Sequence, residues 1–237
     1  MLKTLVRRYV PARWREFVSI YRSKGHLSIG TGSRVHRTAQ ILGRQNVRIG
    51  KNSCISERVW LNVNNRGENE IAISIGDNTF IGRDNFFSSG HAIRVGEYCL
   101  TTIGCRFISS SHIAETPWLP ILSTGTTQDD TITIGPNCFF GAGATVLGNL
   151  EIGHGSVIGA NSLVLTDLPA FSLAIGNPAR VLKRYSFKRK SWIPVQDLKD
   201  GDLDQNPDVE TYLNLLRSNR NHVDMPWIAS AADQGSF

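Results

Sequence analysis

The sequence has no closely spaced cysteine pair, no long apolar run and almost no acidic charge at its amino end. Its four cysteines, Cys54, Cys99, Cys105 and Cys138, form no C-x-x-C motif, so neither a zinc knuckle nor a dithiol redox site is written in them. A disulfide framework is not indicated either, and a reducing compartment is the default for such a chain. No apolar stretch approaches the roughly 20 residues that a helix needs to cross a bilayer. The first 24 residues are charged throughout and lack a long apolar core, which is unlike a secretory leader. The expected location is therefore the cytoplasm. Also missing through most of the chain are the usual hydrophobic periods, 3.6 for a helix and 2 for a strand.

What stands in their place is a beat of six. It is clearest from Ile134 to Val164: Ile134-Gly135, Phe140-Gly141, Val146, Ile152-Gly153, Ile158-Gly159, Val164. A small residue often follows four places on, as at Cys138, Ala144, Ser156 and Ser162. Cys99 and Cys105 occupy the same small-residue position, which makes core packing their simplest role. The beat starts at Ile29-Gly30, passes Val35 and Ile41, slips, and resumes at Ile49-Gly50, Ile55 and Leu61. It returns at Ile75-Gly76, Ile81-Gly82, Phe87 and Ile93, shifts by two, and restarts at Val95-Gly96, Thr101 and Phe107. This is the pattern of an all-β fold, a parallel β-helix whose short strands turn corners and stack coil on coil. No single repeat can bury its own apolar residue, so stability comes from its neighbours. Gly and Asn are expected at the corners, where a positive φ is often needed.

Three segments stand outside the beat. Residues 1–27 are basic and amphipathic. Seven cations up to Lys24 face Glu16 alone, among Leu2, Leu5, Tyr9, Trp14, Phe17 and Tyr21. They suit a short helical cap on the first coil, or contact with a membrane surface through residues 1–24. Residues 114–130 (AETPWLPILSTGTTQDD) form an extended loop, of a length that usually has a task such as covering a site. Residues 186–237 form a C-terminal extension with one helix after Pro207, led by Asp208 and Glu210. The β-helix domain itself spans 28–185, and Ala179–Tyr185 is expected to close it as a short strand or helix. The net charge of +6 is concentrated in the amino-terminal segment and in Lys183, Arg184, Lys188, Arg189 and Lys190. Such clusters attract phosphate groups.

The run FFGAGATVLGNLEIGHGSVIGANSLVLTDLPAFSLAIGNPARVLK, residues 139–183, closely resembles the C-terminal coils of the hexapeptide-repeat acyltransferases. That family of left-handed parallel β-helix enzymes includes sugar and surface-polysaccharide O-acetyltransferases. The resemblance covers roughly residues 28–185 and is most specific over 95–185. It implies a left-handed coil, a homotrimer with active sites between subunits, and acetyl-CoA as co-substrate. No metal and no nucleic-acid partner are implied.

The resemblance also implies site residues. His112, in FISSSHIAE, matches the family's histidine just before the extended loop, and Glu115 matches the nearby carboxylate. Serines Ser109, Ser110 and Ser111 stand where the family usually has Asp or Asn. Ala142 and Ala160 match small residues beside the pantetheine arm, and Thr166 matches a contact further along the groove. Arg180 and Lys183, in NPARVLK, match cations that meet the nucleotide phosphates, where charge-assisted contacts are strong. Phe139 and Phe140 replace a Trp common in the family. The chemistry fits these types. A sugar hydroxyl must lose its proton as it attacks a thioester, and an imidazole that titrates near neutrality can take it. A partner on the other ring nitrogen fixes the tautomer, and a hydrogen-bond donor must meet the oxyanion. The function implied is O-acetylation of a sugar or surface-polysaccharide intermediate. The alternatives are N-acetylation of an amino sugar and a non-catalytic β-helix subunit. A carbonic anhydrase built on the same fold needs three histidines around a metal, and this chain offers His91 and His112 without paired histidines near the latter at ligand spacing.

Overall fold

The computed structural model describes residues 26–66, 70–219 and 223. The basic segment of residues 1–24, for which a helical cap is expected, lies outside them. From Ser28 the chain winds in coils of three short strands. The first coil is β1 (Ser28–Ile29), β2 (Arg34–Val35) and β3 (Gln40–Leu42), and the second is β4 (Val47–Ile49), β5 (Cys54–Ile55) and β6 (Trp60–Val63). Next come β7 (Ile73–Ile75), β8 (Phe80–Ile81) and β9 (Phe86–Ser89), then β10 (Ala92–Val95), β11 (Leu100–Thr101) and β12 (Arg106–Ile108). The last two coils are β13 (Thr131–Ile134), β14 (Phe139–Phe140) and β15 (Thr145–Leu147), followed by β16 (Leu150–Ile152), β17 (Val157–Ile158) and β18 (Leu163–Val164).

Every strand pairs with the strand three places before or after it, which gives three parallel faces: β1-β4-β7-β10-β13-β16, β2-β5-β8-β11-β14-β17, and β3-β6-β9-β12-β15-β18. We call these the first, second and third faces. The six-beat residues are the inward rungs. On the first face Ile49, Ile75, Val95, Ile134 and Ile152 stack in register. On the second it is Ile55, Ile81, Thr101, Phe140 and Ile158. On the third it is Leu61, Phe87, Phe107, Val146 and Val164. All are buried, and each large apolar rung contributes about 2 kcal/mol through burial. Phe107 stacks on Phe87 at 4.6 Å and meets Phe140 edge-on at 5.0 Å, which fills the space beside the smaller Thr101. The two-residue shift in the beat has a simple cause. From β4 onward, first-face strands bury at least two residues each, such as Ile73 with Ile75 and Ile93 with Val95. Cys99, Cys105 and Cys138 are buried free thiols, as their position in the repeat predicts.

The glycine after the first-face apolar residue has a different reason from the one expected. Gly76 and Gly96 do not adopt a positive φ; that conformation falls two residues later, at Asn78 and Tyr98. What excludes a side chain is the coil stacked above. A Cβ on Gly76 would lie 2.5 Å from the carbonyl carbon of Gly96, and one on Gly96 would lie 2.6 Å from the nitrogen of Pro136.

Beyond β18 the chain adds β19 (Ser172–Gly176), parallel to β17, and then reverses into the antiparallel strands β20 (Ala179–Ser186) and β21 (Ser191–Pro194). The closing segment after Pro178 is thus a strand, and the extension holds a further strand that the repeat pattern does not reveal. The expected helix is α1 (Val209–Asn219). It begins beside an aromatic cluster, where Tyr212 packs on Phe171 at 4.9 Å and on His154 at 5.4 Å. From there it climbs the corner between the first and second faces. His154 Nε2 pairs with the carbonyl of Pro207 at 3.0 Å, Asn137 Nδ2 donates to Tyr212 at 2.5 Å, and Arg217 meets Glu97. Further up, Asn52 Nδ2 donates to the carbonyl of Val223 at 3.0 Å. The extension is a strap across five coils.

Candidate active site

The prism has three corners, and the implied site residues divide between two of them. At the second corner, between the second and third faces, consecutive coils stack backbone on backbone. The amide of Asn161 donates to the carbonyl of Ala142 at 2.8 Å, and the amide of Gly143 to that of Ile103 at 2.9 Å. Ala142 and Ala160 occupy successive steps of this ladder and are both exposed. A larger residue at either step would stand out from the wall, so the two alanines leave a smooth strip along the corner.

The strip continues onto the end of β19. Ile175 packs over Gly159, where a Cβ would come within 3.0 Å of its side chain, and Ile175 is opposite Arg180 on β20. Arg180 and Lys183 are three residues apart, which in a regular strand puts them on opposite faces. Here the register shifts between Leu173 and Ala174, so that Leu182 is an extra residue on β20. Arg180 is opposite Ile175 and Lys183 opposite Leu173, and both of those residues point outward with their cationic partners. The bulge therefore brings the two cations to one exposed face. Among the described residues Arg180 Nη1 donates only to the neighbouring carbonyl of Ala179, at 3.0 Å. Arg184 is spent elsewhere: its guanidinium donates to the carbonyl of Ala170 at 2.8 Å, and burial pulls its pKa down.

His112 and Thr166 stand at the third corner, between the third and first faces. The chain leaves the coil after β12 and returns at β13, so the excursion covers residues 109–130, five residues longer at its start than expected. Its arms are zipped on either side of the histidine. The amide of Thr127 donates to the carbonyl of Ser111 at 2.7 Å, that of Ile113 donates to Gly125 at 3.2 Å, and His112 itself bridges Thr126. The backbone of His112 is thus fixed, while its exposed ring has no hydrogen-bond partner among the described residues. Glu115 is also exposed, and no hydrogen bond joins it to His112. Ser109, one of the three serines before the histidine, is buried and structural: its hydroxyl accepts from the amide of Gly90 at 3.0 Å. The loop's apolar residues face solvent, with Trp118 76% and Leu122 90% exposed.

The structure brings together Ala142, Ala160 and Arg180, with Lys183 on the same outward face. It does not bring His112 to them within one chain. The whole third face intervenes, and its strand and flanking turns span on the order of 15 Å. Thr166, next to Asp167, whose carboxylate accepts from the amide of Glu151 at 2.7 Å, shares the corner of His112 rather than that of the alanines. A feature that sequence reasoning missed is the outward side of the second face. Cys54, Phe80, Leu100, Phe139, Val157 and Leu173 form one half-buried apolar ladder there. The signal lies one residue before each inward rung of that face, masked by the six-beat itself.

Residues 131–166 match the family model for the bacterial transferase hexapeptide, described as six repeats. They span the last two coils and the corner strip at Ala142 and Ala160. This stretch is a run of hexapeptide repeats. Among curated relatives, one from Mycobacterium tuberculosis, named a probable acetyltransferase, is 27% identical over 173 residues, which cover 72% of this chain and 53% of that protein. The serine acetyltransferase of Bacillus subtilis is 31% identical over 147 residues, covering 62% of this chain and 64% of the relative. The chain thus spans between about half and two thirds of these relatives' lengths. Among solved structures, AntD, an N-acyltransferase from Bacillus cereus in complex with dTDP and 3-hydroxybutyryl-CoA, aligns with a TM-score of 0.61 at 18% identity, covering 87% of this chain and 96% of that one. That likeness concerns the fold.

Proposed function

We propose that the hexapeptide-repeat chain is an acyl-CoA-dependent acetyltransferase that moves an acetyl group from acetyl-CoA to a hydroxyl of a sugar or surface-polysaccharide intermediate. The observation that carries this reading is the smooth strip of Ala142 and Ala160 ending at a bulged strand that turns Arg180 and Lys183 outward together. A thin, flexible arm with phosphates at one end fits a groove that is narrow and backbone-lined along its length and cationic at its end. The names of the curated relatives and the acyl-CoA bound by AntD point the same way.

In this reading the strip holds the donor and His112 supplies the base. The imidazole takes the proton of the acceptor hydroxyl as its oxygen attacks the thioester carbonyl. The tetrahedral oxyanion collapses with cleavage of the C–S bond, and the imidazolium returns the proton to the departing CoA thiolate. Because His112 and the strip sit at different corners of one prism, the histidine that serves each strip comes from an adjacent copy. The apolar ladder on the second face offers a surface for that assembly, a homotrimer. A cytoplasmic enzyme with residues 1–24 at the inner face of the membrane would meet a lipid-linked acceptor there.

The test is thiol release from acetyl-CoA in the presence of a panel of sugars and amino sugars. His112→Ala should lower turnover by about 100-fold or more while CoA binding and assembly are unchanged. Near-normal turnover in that variant would remove His112 from the chemistry. Release with amino sugars alone would favour the N-acetyl reading, and the absence of release with any acceptor would favour a structural subunit.

A further inference from the structure

The outward side of the third face sets an aromatic pair beside a short polar chain. Trp60 on β6 and Phe86 on β9 are register partners, with ring centres 5.1 Å apart and planes tilted by 55°. Trp60 remains 41% exposed although its ring is apolar. Two residues along the same strands, and so on the same side, Asn62 and Ser88 are partners as well. Asn62 Nδ2 donates to Asn64 Oδ1 at 2.6 Å, and Asn64 Nδ2 donates to Ser88 Oγ at 3.1 Å. Among the described residues this chain leaves the Asn62 carbonyl oxygen and the Ser88 hydroxyl proton without a side-chain partner. Arg106, next in register to Phe86, adds an exposed cation on the following coil.

We propose that this patch is the subsite for the acceptor and that the acceptor is a carbohydrate ring. A pyranose has an apolar face of C–H bonds and a rim of hydroxyls. The C–H face suits the electron-rich faces of Trp60 and Phe86. The rim needs donors and acceptors together, which half-buried Asn62 and Asn64 supply, braced by the buried hydroxyl of Ser88. A wholly apolar ligand would strand those polar groups without partners. A purely anionic one would find Arg106 alone.

The position fits the chemistry. Ser88 is the register partner of Ile108, four residues before His112. The chain beyond Ser88 runs directly under the base of the histidine loop, where a Cβ on Gly90 would lie 2.1 Å from the carbonyl oxygen of Ser109. Adjacent strands are about 4.8 Å apart, so a ring lying over β6 and β9 has its edge one strand from β12. The acceptor and the base are then held by the same chain, and the donor by the corner of its neighbour. The inference rests on the acetyl-transfer reading and adds which surface selects the acceptor.

Binding can be read without turnover. Saturation-transfer NMR with maltose, N-acetylglucosamine and methyl β-galactoside as probes, at millimolar concentration and without CoA, should show transfer to ring C–H protons for at least one of them. Trp60→Ala and Asn64→Ala should each weaken that probe by about ten-fold or more, Trp60→Phe should retain most of the affinity, and CoA binding should be unchanged in all three. The unchanged CoA binding shows that the variants are folded. Equal binding in Trp60→Ala and wild type, or no transfer to any probe, would overturn the subsite. Intact, Trp60-dependent sugar binding without acetyl transfer would instead overturn the transferase reading alone.

Discussion

At the scale of single residues, the small positions of the repeat turn out to be of two kinds. Asn52, Asn78 and Asn137 bend the chain through positive φ, which Asn tolerates better than most residues. The glycines that follow first-face apolar residues have ordinary φ and are kept bare by the backbone stacked above them. This distinction makes a prediction. Gly96→Ala pushes a methyl group to within 2.6 Å of the nitrogen of Pro136, and neither backbone can give without moving its whole coil. It should cost about 3 kcal/mol, at the upper end of overpacking penalties, measured as a lower urea midpoint at unchanged m-value. A variant as stable as the wild type would mean that the coils can slide apart there. Both kinds of residue are legible in the sequence as small or turn-forming letters at fixed spacing. What decides between them, contact with a coil that is as far off in sequence as Pro136 is from Gly96, is not.

At the scale of elements, the β-helix strands could be read almost rung by rung, because each inward residue recurs with the coil. The elements that escaped are those whose partners are not periodic. The bulge at Leu182 comes from a mismatch between β19 and β20, and no local pattern announces it. Helix α1 was legible from its apolar spacing and its cap, and Asp208 does accept from the amide of Thr211 at 2.8 Å. That hydrogen bond lowers the pKa of Asp208, so the cap is intact at neutral pH and is lost as pH falls through the lowered value. The route of the helix along the corner was not legible, since it depends on single long-range contacts. Tyr212 is the anchor. It is buried against Phe171 and His154, accepts from Asn137, and has its own ionisation pushed up by burial. Tyr212→Ala removes the ring and leaves Asn137 without that partner, a loss of about 3 kcal/mol or more. Hydrogen exchange should then speed up in α1 while the amides of β13 to β18 stay protected. Unchanged protection in α1 would show that the strap is held by its other contacts.

At the scale of the whole molecule, each corner of the prism has one occupant: the strap at the first, the alanine strip at the second and the histidine loop at the third. The division explains why the candidate residues cluster in the sequence yet separate in space. Residues 112, 142 and 160 lie on nearby coils, but a coil places successive segments on different sides. A site that needs both corners therefore needs two copies of the chain, meeting through unlike surfaces, and such contacts close into rings when the rotation permits. The consequence can be measured by mixing two inactive variants. His112→Ala keeps an intact strip, whereas Ala160→Trp blocks the strip with a side chain that projects into solvent and keeps the histidine. If sites form between copies in a closed ring of three, every mixed ring has one junction where a good histidine meets a good strip. Unfolding and refolding the two variants together in equal amounts should then restore about a quarter of the wild-type number of sites, since three quarters of rings are mixed and each has one working junction of three. Refolding each variant alone should restore none. If the site lay within a single chain, or if the copies did not assemble, the mixture would be as inactive as its components.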